Sequence, residues 1–171
     1  MKTINGKAIY NPTGKAAEYA RWACNFYTGC SNNCTYCYCK RGVMASTWSN
    51  VPKLKKCFKD EEHALEVFEK ELNANLHELR KHGLFFSFTT DPMLYHNTWS
   101  TFKALRICED YDVPVKVLTK CTGWVNDYIE DANRFENVDE NDCWRKRIAF
   151  GFTLTGRPAN CVDRDYNMFN D

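Results

Sequence analysis

The stretch Cys30-Ser31-Asn32-Asn33-Cys34-Thr35-Tyr36-Cys37 is a C-x3-C-x2-C loop. It follows a short apolar run, Trp22 to Tyr27, and the dipeptide Thr28-Gly29. Three thiolates this close in sequence, on a loop that Asn-Asn and Gly allow to turn, can converge on one inorganic centre. Three is the informative number. A closed structural zinc or iron–sulfur site takes four protein ligands, whereas three leave one metal position open for chemistry.

Ten cysteines in 171 residues raise the alternative of a secreted disulfide scaffold. Such chains are shorter and poorer in core residues. Here hydrophobic residues make up 44% and aromatics 15%, enough for a real core. The N-terminus, Met1 to Gly6, lacks the apolar stretch of a signal peptide. No apolar run reaches the ~18–20 residues of a membrane span. The expectation is a cytosolic (cytoplasmic) chain with reduced thiols and no membrane partner. Cys24, Cys57, Cys108, Cys121, Cys143 and Cys161 then read as scattered small side chains of ordinary burial. The net charge of +1 gives no global pull toward nucleic acid.

Around the loop, apolar runs and amphipathic segments alternate. Residues 1 to about 20 are polar, with Asn11-Pro12-Thr13-Gly14 the clearest turn. The run Trp22 to Tyr27 reads as a first strand. From Tyr38 to Lys59 the chain carries Lys40, Arg41, Lys53, Lys55, Lys56 and Lys59 and no acidic residue. The plain reading is a solvated loop over the metal site; the sharper one is a surface for a phosphate-bearing partner such as nucleic acid. Asp60 has the character of an N-cap, and Leu65, Phe68, Leu72, Leu76 and Leu79 predict one amphipathic helix of about six turns ending at Gly83. Leu84 to Thr90 reads as a strand covered on both faces, ending in the turn Thr90-Asp91-Pro92. A helix over about 98–111, a strand over 113–120, a helix over about 124–135 and a strand over 148–155 complete the pattern, before a polar tail from Gly156. Alternating strands and helices predict an α/β fold with right-handed βαβ units and a parallel sheet. In such folds the chemistry gathers at the carboxyl ends of the strands. Those ends carry the cysteine loop, Thr89-Thr90-Asp91, Thr119-Lys120 and Thr153-Leu154-Thr155.

With those motifs in order, the chain resembles the radical S-adenosylmethionine superfamily, in the branch related to spore photoproduct lyase. The residues that carry the resemblance are Asn25 to Tyr38, Phe88-Thr89-Thr90-Asp91-Pro92, Leu118-Thr119-Lys120 and Gly151 to Thr155. It covers roughly residues 22 to 156. The resemblance implies a partial parallel (β/α) barrel of TIM-barrel type, about four β/α units in a single domain. Residues 1–21 would be an N-terminal extension, 22–156 the barrel core and 157–171 an irregular tail.

It also implies a [4Fe–4S] cluster on Cys30, Cys34 and Cys37, with S-adenosyl-L-methionine on the fourth iron. One electron from an external donor would cleave the cofactor to methionine and a 5′-deoxyadenosyl radical, which abstracts hydrogen from a substrate. By resemblance, Tyr36 lies against the adenine, and Thr89, Thr90 and Asp91 contact the methionyl amine. Lys120 faces the methionyl carboxylate, and Thr153 and Thr155 lie near the ribose. The DNA-repair lyase has a cysteine where this chain has Phe88, so the lyase's own substrate does not carry over. The family's barrel has more units than this chain, so the expectation is a truncated form, or one completed by a partner chain or a second copy. The alternatives from other classes are a non-catalytic zinc or iron–sulfur module that adds Cys39 as fourth ligand, and an inactive remnant.

Overall fold

The computed structural model describes residues 4–126 and 147–153. Its elements, in chain order, are β1 (Ile9–Tyr10), α1 (Ala16–Tyr19), β2 (Ala23–Cys24), β3 (Tyr27–Thr28), β4 (Lys53–Leu54), α2 (Glu61–Ala74), α3 (Leu76–His82), β5 (Leu84–Phe86), α4 (Tyr95–Asp110), β6 (Val115–Thr119) and β7 (Ile148–Phe152). Short 3-10 turns span Tyr38–Lys40 and Gly42–Ser46. A further helix begins at Trp124, and the rest of the segment expected over 124–135 lies outside the described residues.

Five strands form one sheet in the order β1-β2-β5-β6-β7. The pairs β2–β5, β5–β6 and β6–β7 are parallel, and β1 joins β2 antiparallel. This is the mixed α/β class with a mostly parallel sheet that the alternation predicts. Among the described residues the sheet does not close into a barrel: β1 and β7 are its two edges.

One face of the sheet is packed. Leu84, Phe86, Val115 and Val117 lie in the same core as Phe68 and Leu72 of α2, Leu79 of α3 and Ala104, Leu105 and Cys108 of α4. The rings of Phe68 and Phe86 meet edge-on with centroids 6.0 Å apart. Such burial of large apolar side chains is the main favourable term holding the layers together. The opposite face is more open. In β6 burial alternates, with Lys116 and Leu118 exposed while Val115, Val117 and Thr119 are buried. The parallel register places Ala23, Phe85, Lys116 and Ala149 in one row on that open face.

Four readings change. The strand expected over Leu84 to Thr90 ends at Phe86, and the Phe88 amide donates to the Asn25 side chain instead of continuing the ladder. The run Trp22 to Tyr27 is two strands, because Asn25 interrupts it. The Asn25 side chain accepts from the Phe88 amide (3.1 Å), after which Tyr27–Thr28 leave the main sheet to pair with Lys53–Leu54. The long helix is two, α2 and α3, broken at Asn75, whose φ of −124° is not helical and whose amide donates to the Glu71 carbonyl at 2.7 Å. The N-terminal extension, read only as polar with a turn at Asn11 to Gly14, supplies β1. Its backbone amides at Lys7, Ala8 and Ile9 all donate to the Glu71 carboxylate, at 2.6, 3.0 and 2.8 Å.

The capping signals hold. The Asp60 carboxylate accepts from the His63 amide at 2.7 Å, and Gly83, at φ 73°, closes α3 by donating to the Leu79 carbonyl. Among the described residues no helix is long and apolar enough to cross a membrane.

Candidate metal and cofactor centre

The cysteine loop leaves the sheet through Gly29, which sits at φ +86°. A β-carbon there would lie 2.6 Å from the Val51 carbonyl oxygen and 2.7 Å from that of Ser49. Only glycine permits both the left-handed backbone and this approach. The Cys30 amide then donates to the Ser49 carbonyl at 3.0 Å, so the basic segment is strapped across the base of the loop. Within the loop, amide-to-carbonyl bonds run from Asn33 to Cys30, Cys37 to Cys34 and Lys40 to Cys37, a chain of turns that folds the three cysteines back on themselves. Asn33 takes the left-handed conformation (φ 46°), and the Lys40 ammonium donates to both its carbonyl oxygens, at 2.8 and 2.6 Å.

The ends of β5 and β6 hold this loop. The Thr89 hydroxyl donates to the Tyr27 carbonyl (3.1 Å) and the Thr90 hydroxyl to the Gly29 carbonyl (2.7 Å). Asp91, only 9% exposed, is the hub. One carboxylate oxygen accepts from the Asn32 side chain and the Lys120 amide, both at 2.8 Å. The other accepts from the Thr119 hydroxyl at 2.6 Å and the Met93 amide at 3.0 Å. Four donors satisfy its acceptor capacity. A buried carboxylate so supplied is stable without a cation. It ties together the cysteine loop, the turn after β5 and the end of β6.

The thiols differ in setting. Cys30 and Cys37 are half-buried and Cys34 is buried. Burial pushes the Cys30 thiol up, and the nearby backbone of Asp91 and Asn32 acts in the opposite sense. Cys39, 1% exposed, neighbours Cys37 and Cys30 and donates weakly to the Phe88 carbonyl (3.7 Å). Tyr38 donates to the same carbonyl. The described cysteines are all free thiols. Among the described residues, no three His, Cys, Asp or Glu side chains are arranged to hold a metal ion. Three thiols on one loop are nevertheless the donor type of an iron–sulfur ligand set.

Tyr36 and Lys120 come together at this end of the sheet. The Tyr36 ring is 55% exposed, and the Lys120 ammonium lies 6.0 Å from its centroid. The Thr153 amide donates to the Thr119 carbonyl (3.0 Å), extending the β6–β7 ladder toward the same end. Thr155 lies outside the described residues. The structure thus gathers the sequence-derived residues that it describes, but Thr89, Thr90 and Asp91 spend their side chains on the loop.

Sequence reasoning missed Asn32 and Thr119, the two side chains that complete the Asp91 network. Their signal was position: Asn32 lies between two of the cysteines, and Thr119 stands beside Lys120 at a strand end. Together, fold and site define a mixed α/β protein with a cysteine loop clamped to the carboxyl ends of its parallel strands. No protein-family model matches the chain, and neither the curated proteins nor the solved structures searched contain a match.

Proposed function

We propose that this chain is a radical S-adenosylmethionine enzyme whose Cys30, Cys34 and Cys37 hold a [4Fe–4S] cluster. The observation that carries the reading is the Asp91 network, which fixes a three-cysteine loop at the strand ends where α/β folds place chemistry. When bound, such a cluster supplies the electron that cleaves S-adenosylmethionine to methionine and a 5′-deoxyadenosyl radical. The chain's own residues position and enclose. Asp91, Thr89 and Thr90 hold the loop, and through the backbone Asp91 also fixes Lys120. The Lys120 ammonium is the cation suited to the methionyl carboxylate, and Tyr36 offers an exposed ring for the adenine.

The arrangement of the sheet supports an arc of a (β/α) barrel. Strands β2, β5, β6 and β7 follow one another in sequence order, and the core helices pack with the row formed by Leu84, Phe86, Val115 and Val117. A doubly wound sheet would divide its helices between both faces. Completion by a partner chain or a second copy would pair the β7 edge.

Anaerobic reconstitution with iron and sulfide tests the reading. The expected result is about four irons per chain and, with dithionite and S-adenosylmethionine, release of 5′-deoxyadenosine. A preparation that holds a single metal and never cleaves the cofactor would sink it. A second reading rests on buried Cys39 beside Cys37: a closed four-thiolate module. In that case Cys39→Ala loses the metal, whereas the radical-enzyme reading predicts retention.

A further inference from the structure

The amino ends of the parallel strands, opposite the cysteine loop, line a cleft of about 410 Å³. Its floor is the row of the sheet holding Phe85 and Lys116, and its walls carry Tyr19, Lys81, His82 and Arg147. The volume falls in the range of small-molecule sites, roughly 300–1,000 Å³. The lining is cationic and, among the described residues, contains no carboxylate.

Each basic group has a distinct status. Arg147 is held by Asp112, Nε to Oδ1 at 2.9 Å, which fixes its guanidinium at the mouth. The side chains of Lys81 and Lys116 make no ion pair or hydrogen bond among the described residues. His82 Nε2 lies 2.9 Å from Arg21 Nη1. The same Nε2 lies 3.9 Å from Glu78 Oε2, and Glu78 pairs with Arg21 at 3.2 Å, so the His82 ring is tied to an ion pair just outside the lining. The cleft therefore presents two ammonium groups, unpaired among the described residues, and one oriented guanidinium. Like charges confined this way repel one another, and an anion between them relieves that repulsion.

The apolar part of the cleft has its own character. Phe85 is buried and stacks on Phe88, with centroids 4.4 Å apart, which makes a rigid floor. The Tyr19 ring is 68% exposed at the rim. An anion site beside an available ring suits a phosphate joined to a flat heterocycle. We propose that this cleft is a second ligand site, separate from the cysteine loop, that takes a nucleoside monophosphate. Lys81, Lys116 and Arg147 hold the phosphate, and Tyr19 stacks on the base. This site stands whatever the cysteine loop does, since none of its lining residues belongs to that loop.

The test is calorimetric titration of the full chain with adenosine 5′-monophosphate, adenosine and inorganic phosphate. Adenosine 5′-monophosphate should saturate one site, binding about tenfold tighter than either fragment alone, and should weaken as salt is raised. Lys81→Glu/Lys116→Glu, at exposed positions that leave the core intact, should abolish saturation, and Tyr19→Ala should reduce affinity for the nucleotide but not for phosphate. Undiminished nucleotide binding by the double variant overturns the site. Equal affinity for phosphate and nucleotide overturns the nucleotide assignment.

Discussion

Asp91 joins three separate segments: the cysteine loop, the turn after β5 and the end of β6. Asn32 and the Lys120 amide both donate to one of its oxygens. In Asp91→Asn an amide nitrogen in that position would face two donors, and the oxygen position can satisfy only the remaining pair. Leaving buried donors unpaired costs about 1–3 kcal/mol each. The variant should lose about 3 kcal/mol of stability in urea unfolding, and it should bind less iron on reconstitution even under conditions where it stays folded. Normal iron content in a folded Asp91→Asn protein would separate the network from the loop's function.

Gly29 gives a sharper test of geometry alone. An alanine there meets two carbonyl oxygens and a positive φ, so Gly29→Ala should cost about 2 kcal/mol. Its amide exchange should rise locally in the loop and in 49–54, with the rest of the sheet unchanged. Neither site was legible as such in the sequence. The glycine could be read as a turn residue, but the need for it arises from Val51 and Ser49, some twenty positions away.

At the scale of elements, the N-terminal strand is held by one side chain of α2. Three successive amides, Lys7 to Ile9, converge on the Glu71 carboxylate. Glu71→Ala should therefore release β1 from α2 at a cost of about 2 kcal/mol, read as hydrogen exchange becoming fast over residues 4–11 while α4 and β6 stay protected. Loss of protection across the whole chain would instead show that β1 is integral to the core.

This region was unreadable beforehand for a physical reason. A two-residue strand carries no period, and a glutamate on a helix announces nothing about the backbone it accepts from. Longer elements were legible because their own residues carry the pattern. The Asp60 cap, the Gly83 stop and the apolar spacing of Phe68, Leu72 and Leu79 all lie in the chain segment that they define. The break at Asn75 was not, since apolar spacing continues across it to Leu76 and Leu79.

For the whole molecule, several weak acids shielded from water set the alkaline limit. Burial raises the Cys24 and Cys108 thiols above their ordinary 9.0 and the Tyr10 phenol above 10.0. A raised folded-state value means that the native protein keeps protons which the unfolded chain gives up first. Their stabilisation is complete below about pH 9 and is lost as pH rises through the folded values. Lys55 acts in the opposite sense: burial lowers it below 10.5, so its contribution is present above 10.5 and lost as pH falls through its folded value. With several raised acids against the lowered Lys55, the urea midpoint should fall steadily above pH 9. Cys108→Ala should make that fall shallower. An unchanged slope in the variant would remove Cys108 from the account.

The sequence alone determined the alternation of strands and helices, and with it the mostly parallel sheet, because periodicity and capping are properties of neighbouring residues. It also located the cysteine loop and the polar strand ends. Only the tertiary structure decided what those polar groups do. Thr89, Thr90 and Asp91 read as cofactor contacts, and the fold adds that their side chains hydrogen-bond Tyr27, Gly29, Asn32 and Thr119. The reason lies in the nature of a hydrogen bond: a side chain's residue type says what it can donate or accept, but its partner is fixed by which distant segments the packed core brings within 3 Å.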